Sequence, residues 1–243
     1  MLRDEFHKAH GRYGYRRLKV VLAQKHGIHV SGKTIVKLLR QENLKCLVRR
    51  KKYRSYKGEI GETAPNLLNR NFKAVEPNQK WVTDVTEFKI GDKKHYLSPL
   101  IDLFNGEVLS YTHSTAPNLA LVNDMIEQAL AKLPNGVKPL IHSDQGWQYQ
   151  HLSYRSKLAR AGLKQSMSRK GNCLDNAVAE NFFGHFKEEF LRLKPIESSE
   201  KFETELHEYM RWYNQERIQL KLNGLSPVNF RTQPVGLSFK PTP

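Results

Sequence analysis

Helical spacing of apolar residues marks the first part of the chain. Residues 13–27 carry an apolar stripe and end at Gly27, which is the expected helix C-cap. A short turn follows, and Ser31 is the expected N-cap of a second helix with its own apolar residues. The two apolar sets consist of Leu18, Val21, Leu22, Ile35, Val36, Leu38 and Leu39. Two helices joined by a short turn predict a helix-turn-helix-like module.

The second of these helices is basic on its remaining positions. In a helix-turn-helix, the second helix enters the major groove of DNA, so its exposed polar residues are candidates for DNA contact. These candidates are Lys33, Thr34, Lys37 and Arg40. The pattern by itself occurs in many small helical pairs, so DNA binding is one interpretation of it.

From residue 79 the alternation changes to that of strands. The first three candidate strands are separated by the turn dipeptides Gly91-Asp92 and Asn105-Gly106, and Asn-Gly is a strong hairpin signal. Helices and strands then alternate. The predicted strands are 80–90, 95–103, 107–113, 138–143 and 163–167, and the predicted helices are about 118–132, 151–161, 175–191 and 198–215. This order predicts an α/β fold, a mixed five-stranded sheet flanked by helices, preceded by the small basic helical module.

Charge is divided unequally along the chain. The 243 residues carry a formal net charge of +16. Residues 1–75 contribute 19 Lys+Arg against 5 Asp+Glu, a net of +14, and residues 76–243 contribute 21 against 19, a net of +2. A polyanionic partner is therefore expected for the N-terminal part. Together, the patterns predict a helix-turn-helix-like module at 1–44, a basic linker at 45–76, the α/β domain at 77–232 and a tail at 233–243.

The linker contains a run in which cations and tyrosines are mixed, at residues 49–57. Such a run suits phosphate contacts and stacking on bases or sugars. A solvated linker is the alternative, and both descriptions are compatible. The four leading cations of the run are further candidates for DNA contact, namely Arg49, Arg50, Lys51 and Lys52.

Cysteine content and hydropathy narrow the cellular setting. The chain has two cysteines, which form no CxxC pair, and no apolar run approaches the length that spans a membrane. We therefore expect a cytoplasmic protein with no membrane partner.

Three acidic residues stand in three different local settings. Asp84 lies inside a strand-like run, Asp144 ends a strand before a glycine turn, and Glu180 lies in a helix. Carboxylate oxygens are the ligands that hard ions such as Mg²⁺ prefer, and a paired-metal site needs few protein ligands. The three residues together predict a divalent-metal site that cuts or joins phosphodiester bonds. For each one taken singly, an ordinary exposed carboxylate is the alternative.

Neighbouring residues extend this candidate site. On the predicted helix, Asn176 and Lys187 share a face with Glu180. On the predicted strand, His142 precedes Asp144 by two residues and therefore shares its face. Lys187 is expected to hold a DNA phosphate, and Asn176 and His142 are candidates for DNA contact. For His142, a structural hydrogen bond is equally compatible with the sequence. Asp175 is more simply explained as a helix N-cap than as a metal ligand.

These residues carry a family resemblance. Three segments carry it, namely Trp81-Val82-Thr83-Asp84-Val85-Thr86, His142-Ser143-Asp144-Gln145-Gly146-x-Gln148-Tyr149 and Asp175-Asn176-Ala177-x-x-Glu180-x-Phe182-Phe183-x-x-x-Lys187. They resemble the integrase core of bacterial insertion-sequence transposases. The family comprises the DDE enzymes of OrfB type, which are similar to retroviral integrases. The resemblance extends from Gly11-Arg12-Tyr13-Gly14-Tyr15-Arg16-Arg17 to Tyr213-Asn214-x-x-Arg217 and Leu225-Ser226-Pro227, and it thus covers nearly the whole chain.

The resemblance implies an RNase H-like integrase catalytic core at 77–232. It implies two Mg²⁺ or Mn²⁺ ions bound by Asp84, Asp144 and Glu180, and a DNA contact at Lys187. The implied function is that of a DDE transposase, a polynucleotidyl transferase that cleaves and transfers the strands of an insertion sequence.

Partners and alternatives follow from this resemblance. We expect binding to double-stranded DNA at the transposon ends and target, further copies of the chain on that DNA, and the first-frame OrfA product or an OrfAB fusion. Two other functions stay open. One is a nuclease of the same fold without strand transfer, and the other is a helix-turn-helix regulator whose RNase H-like domain is inactive.

Overall fold

The described part of the chain falls into two compact units. The structure, a computed structural model, describes residues 1–48, 63–170, 172–193, 196 and 198–233. The first unit comprises Met1–Lys52, His185–Pro195 and Arg211–Pro243, and the second comprises Tyr53–Gly184 and Ile196–Met210. The C-terminal part of the predicted 77–232 domain is thus divided between the units. The boundaries expected from the sequence remain predictions.

The N-terminal helices of the first unit are α1 (Leu2–Lys8), α2 (Tyr15–His26) and α3 (Gly32–Gln41). Helix α2 ends where Gly27 adopts φ 65°, and α3 begins where the Ser31 hydroxyl accepts the N–H of Thr34 at 3.1 Å. The residues that α2 and α3 bury belong to the predicted apolar sets, namely Leu18, Val21, Leu22, Ile35 and Leu39. The helix-turn-helix-like module is therefore confirmed.

A buried carboxylate joins these helices to the C-terminal segments of the first unit. Arg217 donates two hydrogen bonds to Glu189, at 2.6 and 2.7 Å, and Arg17 donates a third at 3.3 Å. The Nε of Arg12 donates to the Glu189 carbonyl at 2.9 Å. Burial opposes the ionisation of Glu189, but its arginine partners outweigh burial and hold its pKa below the ordinary value. The two motifs at the ends of the chain, around Arg12 and Arg217, thus meet in one ion-pair cluster.

The second unit is built on a six-stranded mixed sheet. The strands are β1 (Lys80–Thr83), β2 (Thr86–Ile90), β3 (Lys93–Asp102), β4 (Val108–Ser114), β5 (Leu140–Ser143) and β6 (Lys164–Met167). The long strand β3 pairs antiparallel with β4 along one side and with β1 and β2 along the other. Strand β1 then pairs parallel with β5, and β5 with β6.

The sixth strand arises because the predicted strand 80–90 is divided at Asp84. Both halves keep one register on β3, with Thr83 opposite Leu100 and Thr86 opposite Leu97. Because Thr83 pairs with Leu100 in an antiparallel ladder, the next residue, Asp84, stands opposite Pro99. Proline has no N–H to donate to the ladder. The two halves therefore act as one strand with a break, and the predicted sheet layout is confirmed.

Helices cover both faces of this sheet. Helix α4 (Leu119–Leu130), the short α5 (Trp147–Gln150) and α6 (Leu152–Arg160) close a core on one face. This core includes Trp81, Leu100, Val122, Met125, Ile126, Ile141, Tyr149, Tyr154 and Leu158. On β3, His95 points to the face opposite Leu100 by strand alternation, and Phe202 of α8 (Ser199–Gln215) packs against it at 5.4 Å between ring centroids.

The remaining helical segments follow β6. A 3₁₀ turn (Cys173–Asn176) leads into α7 (Ala177–Phe186), and a π-helical turn (Lys187–Leu191) follows it, where the sequence predicted one helix. After α8 come a 3₁₀ turn (Leu220–Leu222) and α9 (Pro227–Arg231). Each helix in the described ranges is too short or too polar to cross a lipid bilayer.

Candidate active site

Asp84 and Asp144 lie at the same edge of the sheet. Asp84 directly follows β1, and Asp144 directly follows β5. The two strands run parallel in a register that pairs Val82 with His142, so the aspartates follow at equivalent positions two residues on. Since paired strands lie about 4.8 Å apart, the two backbones are neighbours. Ligands collect at this edge of open α/β sheets, outside the carboxyl ends of the parallel strands.

Backbone amides orient both aspartate side chains. The N–H of Val85 donates to Asp84 Oδ1 at 2.8 Å, and the N–H of Gly146 donates to Asp144 Oδ1 at 2.8 Å. At Gly146, a Cβ atom would lie 2.9 Å from that same Asp144 oxygen. The glycine turn expected from the sequence is therefore needed here so that the backbone can approach the carboxylate closely.

Glu180 stands in the first turn of α7 and is electrostatically linked to Asp144. Burial raises the pKa of Glu180, and the charge of Asp144 raises it further, to about 7. Burial also raises the pKa of Asp144, against the opposing effect of the Gly146 N–H. Because the charge of Asp144 raises the pKa of Glu180, the two carboxylates lie near one another.

The environment of these carboxylates favours a bound cation. In the described part of the chain, Asp144 and Glu180 have no lysine or arginine close enough to lower their pKa. Their hard oxygen donors suit Mg²⁺ or Mn²⁺. Across the described ranges, no three histidine, cysteine or carboxylate side chains stand close enough together to hold a single metal ion. A paired-metal site needs fewer protein ligands for each ion, since water and phosphate supply the others, so this donor set fits such a site.

Asp175 contrasts with the three candidate ligands. Its buried carboxylate accepts Nε and Nη2 of Arg169, both at 2.9 Å, and Nε of Arg70 at 2.8 Å. The hydrogen bonds from Arg169 are the main reason why the pKa of Asp175 lies far below its ordinary value. Asp175 was expected to be a helix N-cap. Instead, it anchors the 3₁₀ turn before α7 to two other segments.

Asn176 and His142, two of the candidate DNA contacts, are buried. The Nδ2 of Asn176 donates to the carbonyl of Thr83 at 3.3 Å. The His142 ring is completely buried between two serine hydroxyls, with Nδ1 at 2.8 Å from Ser166 and Nε2 at 3.3 Å from Ser168. Burial lowers the pKa of His142 to about 4. These are the structural hydrogen bonds that the sequence left as the alternative for His142.

The candidate cations have different settings. Lys33, Lys37 and Arg40 are exposed on α3 and line a groove of about 710 Å³ together with Tyr15. Lys187 is half-buried in the first unit, where it begins the π-helical turn. The positions of Arg49, Arg50, Lys51 and Lys52 lie outside the described residues.

Tyr149 is a site residue that the sequence analysis did not single out. It is fully buried, and its hydroxyl lies 3.2 Å from Thr83 Oγ1. Burial raises the pKa of Tyr149 well above its ordinary value, and the charges of Asp84 and Asp144 raise it further. The phenol therefore lies near both aspartates. Its only sequence signal was its presence at the end of the segment that begins at His142.

Family models match most of the chain. Two models described as integrase core domain match residues 74–173 and 180–235, and a model described as HTH-like domain matches residues 2–52.

The similar proteins are transposases or transposase-like proteins. InsK for insertion sequence element IS150 of Escherichia coli (strain K12) is 49% identical over 228 residues, which cover 94% of this chain and 80% of the relative. An uncharacterized transposase-like protein of Haemophilus influenzae is 50% identical over 85% of this chain and 95% of its own length. Transposase InsF for insertion sequence IS3A of Escherichia coli (strain K12) is 32% identical over 94% of this chain and 80% of its own length.

Solved structures share the fold. The catalytic core domain of HTLV-2 integrase in complex with magnesium matches 65% of this chain and 99% of its own with a TM-score of 0.53 and 20% identity. A simian T-cell lymphotropic virus intasome in complex with PP2A regulatory subunit B56 gamma matches 100% of this chain and 79% of its own with a TM-score of 0.58 and 16% identity. These likenesses establish the RNase H-like fold.

Proposed function

Since the chain belongs to the insertion-sequence transposases with an integrase core, we propose that Asp84, Asp144 and Glu180 are the residues with which it cuts and joins DNA strands. As a DDE transposase it is a polynucleotidyl transferase that acts on DNA.

The residue assignment is supported by the strand register and by the electrostatics of the site. Asp84 and Asp144 follow adjacent parallel strands at equivalent positions, and the charge of Asp144 raises the pKa of Glu180. The integrase core suggests the use of a divalent metal, and the three carboxylates would hold two Mg²⁺ or Mn²⁺ ions between them. When bound, such ions supply activation of a water or 3′-hydroxyl nucleophile and stabilisation of the leaving oxygen.

The protein groups bind and orient. Asp84 follows β1, which lies next to β5 in the sheet, so its carboxylate would hold the ions together with that of Asp144. The Val85 and Gly146 amides each hold one oxygen of their aspartate and so orient the two carboxylates. No serine or tyrosine nucleophile is needed, so we expect no covalent protein–DNA intermediate.

DNA contacts belong to the same proposal. Lys33, Lys37 and Arg40 on α3 would bind double-stranded DNA at the transposon ends. Lys187 is proposed to hold a phosphate, and the basic run at 49–52 to add contacts in the linker. We further propose that several copies assemble on the DNA and that the first-frame OrfA product, or an OrfAB fusion, takes part. The cytoplasmic location also remains a proposal.

Amide substitutions at the three carboxylates test the assignment. Asp84→Asn, Asp144→Asn and Glu180→Gln should each abolish Mg²⁺-dependent cleavage of the element's ends while DNA binding in a gel-shift assay stays near wild type. Asp124→Asn, an exposed aspartate on α4, is the matched control and should cleave normally. Full cleavage by any of the three variants would remove that residue from the site.

An assay with a second DNA substrate distinguishes strand transfer from simple hydrolysis. A pre-cleaved end with a free 3′-hydroxyl is supplied together with target DNA. Joined products are expected from the wild type. Cleavage without joining would instead identify a nuclease, and DNA binding without either activity would identify a regulator with an inactive catalytic domain.

A further inference from the structure

Thr83, the residue before Asp84, forms hydrogen bonds with two segments. One segment carries Asp144, and the other leads to Glu180. Its Oγ1 lies 3.2 Å from the hydroxyl of Tyr149, whose helix α5 opens at Gly146, directly after the Asp144 turn. Its carbonyl accepts the Nδ2 of Asn176 at 3.3 Å, and Asn176 ends the 3₁₀ turn that leads into the helix of Glu180. Both contacts lie within the second unit and join residues 66 and 93 positions apart.

Resting on the proposed function, we propose that Thr83, Tyr149 and Asn176 form a positioning cluster that sets the placement of Asp84, Asp144 and Glu180 relative to one another. None of the three is proposed to touch DNA or metal. They act through the backbone of β1 and through the segments on which the carboxylates stand.

Burial makes these contacts specific. Thr83, Tyr149 and Asn176 are each at most 3% exposed, so water cannot replace a lost partner. A buried polar group without a partner is costly, which favours the arrangement in which the Thr83 hydroxyl and the Asn176 Nδ2 group both have partners. The hydroxyl and the carbonyl of Thr83 thereby connect two distant segments to the end of β1.

Tyr149 is itself held firmly enough to transmit this restraint. Its carbonyl accepts Gln165 Nε2 at 2.8 Å, and its N–H donates to the Gly146 carbonyl at 3.1 Å. Its ring stands edge-on to Tyr154, with 5.4 Å between the centroids. A rigid phenol anchored beside the Asp144 turn fixes where the Thr83 hydroxyl, and with it the start of the Asp84 segment, must lie.

The neighbouring tyrosine provides a matched control. Tyr154 is also completely buried, but its hydroxyl has no hydrogen-bond partner among the described residues. Tyr149→Phe and Tyr154→Phe therefore remove the same atom from the same aromatic pair. Only the first breaks a bond to Thr83.

Binding of Mn²⁺ to the full-length chain, followed by electron paramagnetic resonance of the free ion, measures the effect without catalysis. Tyr149→Phe should weaken Mn²⁺ affinity about tenfold, as is typical when a group that orients metal ligands is lost. Tyr154→Phe should change it by about twofold or less, because its hydroxyl orients no ligand. A wild-type affinity in Tyr149→Phe would overturn the proposal.

Thr83 variants give an independent test. Thr83→Val should match Tyr149→Phe, and the double variant should be no weaker than either, because all three lack the same bond. Thr83→Ser keeps the hydroxyl and should bind Mn²⁺ like the wild type. Additive losses in the double variant, or equal losses in Thr83→Ser and Thr83→Val, would refute a role for this hydrogen bond.

The proposed function is checked in the same titration. Mn²⁺ binding that is lost in Asp84→Asn supports the metal site, and the Tyr149 and Thr83 variants then decide the role of the cluster alone. Binding unaffected by Asp84→Asn would overturn the metal assignment itself.

Discussion

Gly146→Ala should impair catalysis without unfolding the protein. Gly146 has φ −57° and ψ 141°, a conformation open to alanine, so the substitution carries no backbone strain. The new methyl group would instead stand 2.9 Å from Asp144 Oδ1. The end of this aspartate side chain can move more easily than the surrounding backbone, so the carboxylate is the group that is displaced.

The displacement sets the size of the effect. Ordinary contact begins at 3.4 Å, so the oxygen must retreat by about 0.5 Å, the difference between 3.4 and 2.9 Å. A misplacement of about 1 Å at a reacting centre can cost about 100-fold in rate, so half that distance corresponds to about tenfold. A tenfold loss in kcat equals about 1.4 kcal/mol of activation free energy.

The assay compares single-turnover cleavage of the element's ends at saturating DNA, together with thermal unfolding. We expect a tenfold slower rate in Gly146→Ala and a melting temperature close to wild type. Gly14→Ala is the matched control, because its methyl group would lie 3.9 Å from the nearest heavy atom, Cys46 Sγ. A wild-type rate in Gly146→Ala would refute the link between this turn and the Asp144 carboxylate.

Ion pairs and the basic face of α3 are expected to contribute to stability and to DNA binding in ways that single substitutions can measure. Arg217→Met leaves Glu189 buried without its two-bond partner, so urea unfolding should show a loss of about 3–5 kcal/mol, and an unchanged midpoint would contradict this. The lowered pKa of Asp175 means that its contribution to stability is present above its ordinary value of 3.8 and is lost as pH falls below it. Asp175→Asn should therefore unfold with a weaker dependence on pH in that acid range, and a wild-type acid profile would argue against the ion pairs. Lys37→Ala should reduce the slope of log binding constant against log salt by about 0.9, whereas the exposed control Lys132→Ala should leave it unchanged.

Local signals predicted the elements well where a few neighbouring residues decide them. Ser31 and Gly27 act as the cap residues that bound α3 and α2, because capping depends on adjacent backbone amides and carbonyls. The division of strand 80–90 could not be predicted in this way. It coincides with Pro99, which stands in another strand and meets Asp84 only once the sheet has formed.

Long-range partners explain what the sequence left open at the site. Asp175 has the local setting of a helix cap, yet its carboxylate accepts a hydrogen bond from Arg70, which lies 105 residues away in sequence. The hydrogen bond between Arg17 and Glu189 joins residues 172 positions apart, so neither side chain carries a local sign of the other. The three candidate carboxylates were identified by residue type and spacing, while the tyrosine and asparagine that bond Thr83 became visible only through the fold.

Anomalous scattering from crystals of the full-length chain soaked in Mn²⁺ tests the central claim most directly. We predict two peaks about 3.5–4 Å apart, bounded by the carboxylates of Asp84, Asp144 and Glu180. Peaks that lie elsewhere, or no peak within reach of Asp84 and Asp144, would contradict the assignment of these residues as the metal ligands.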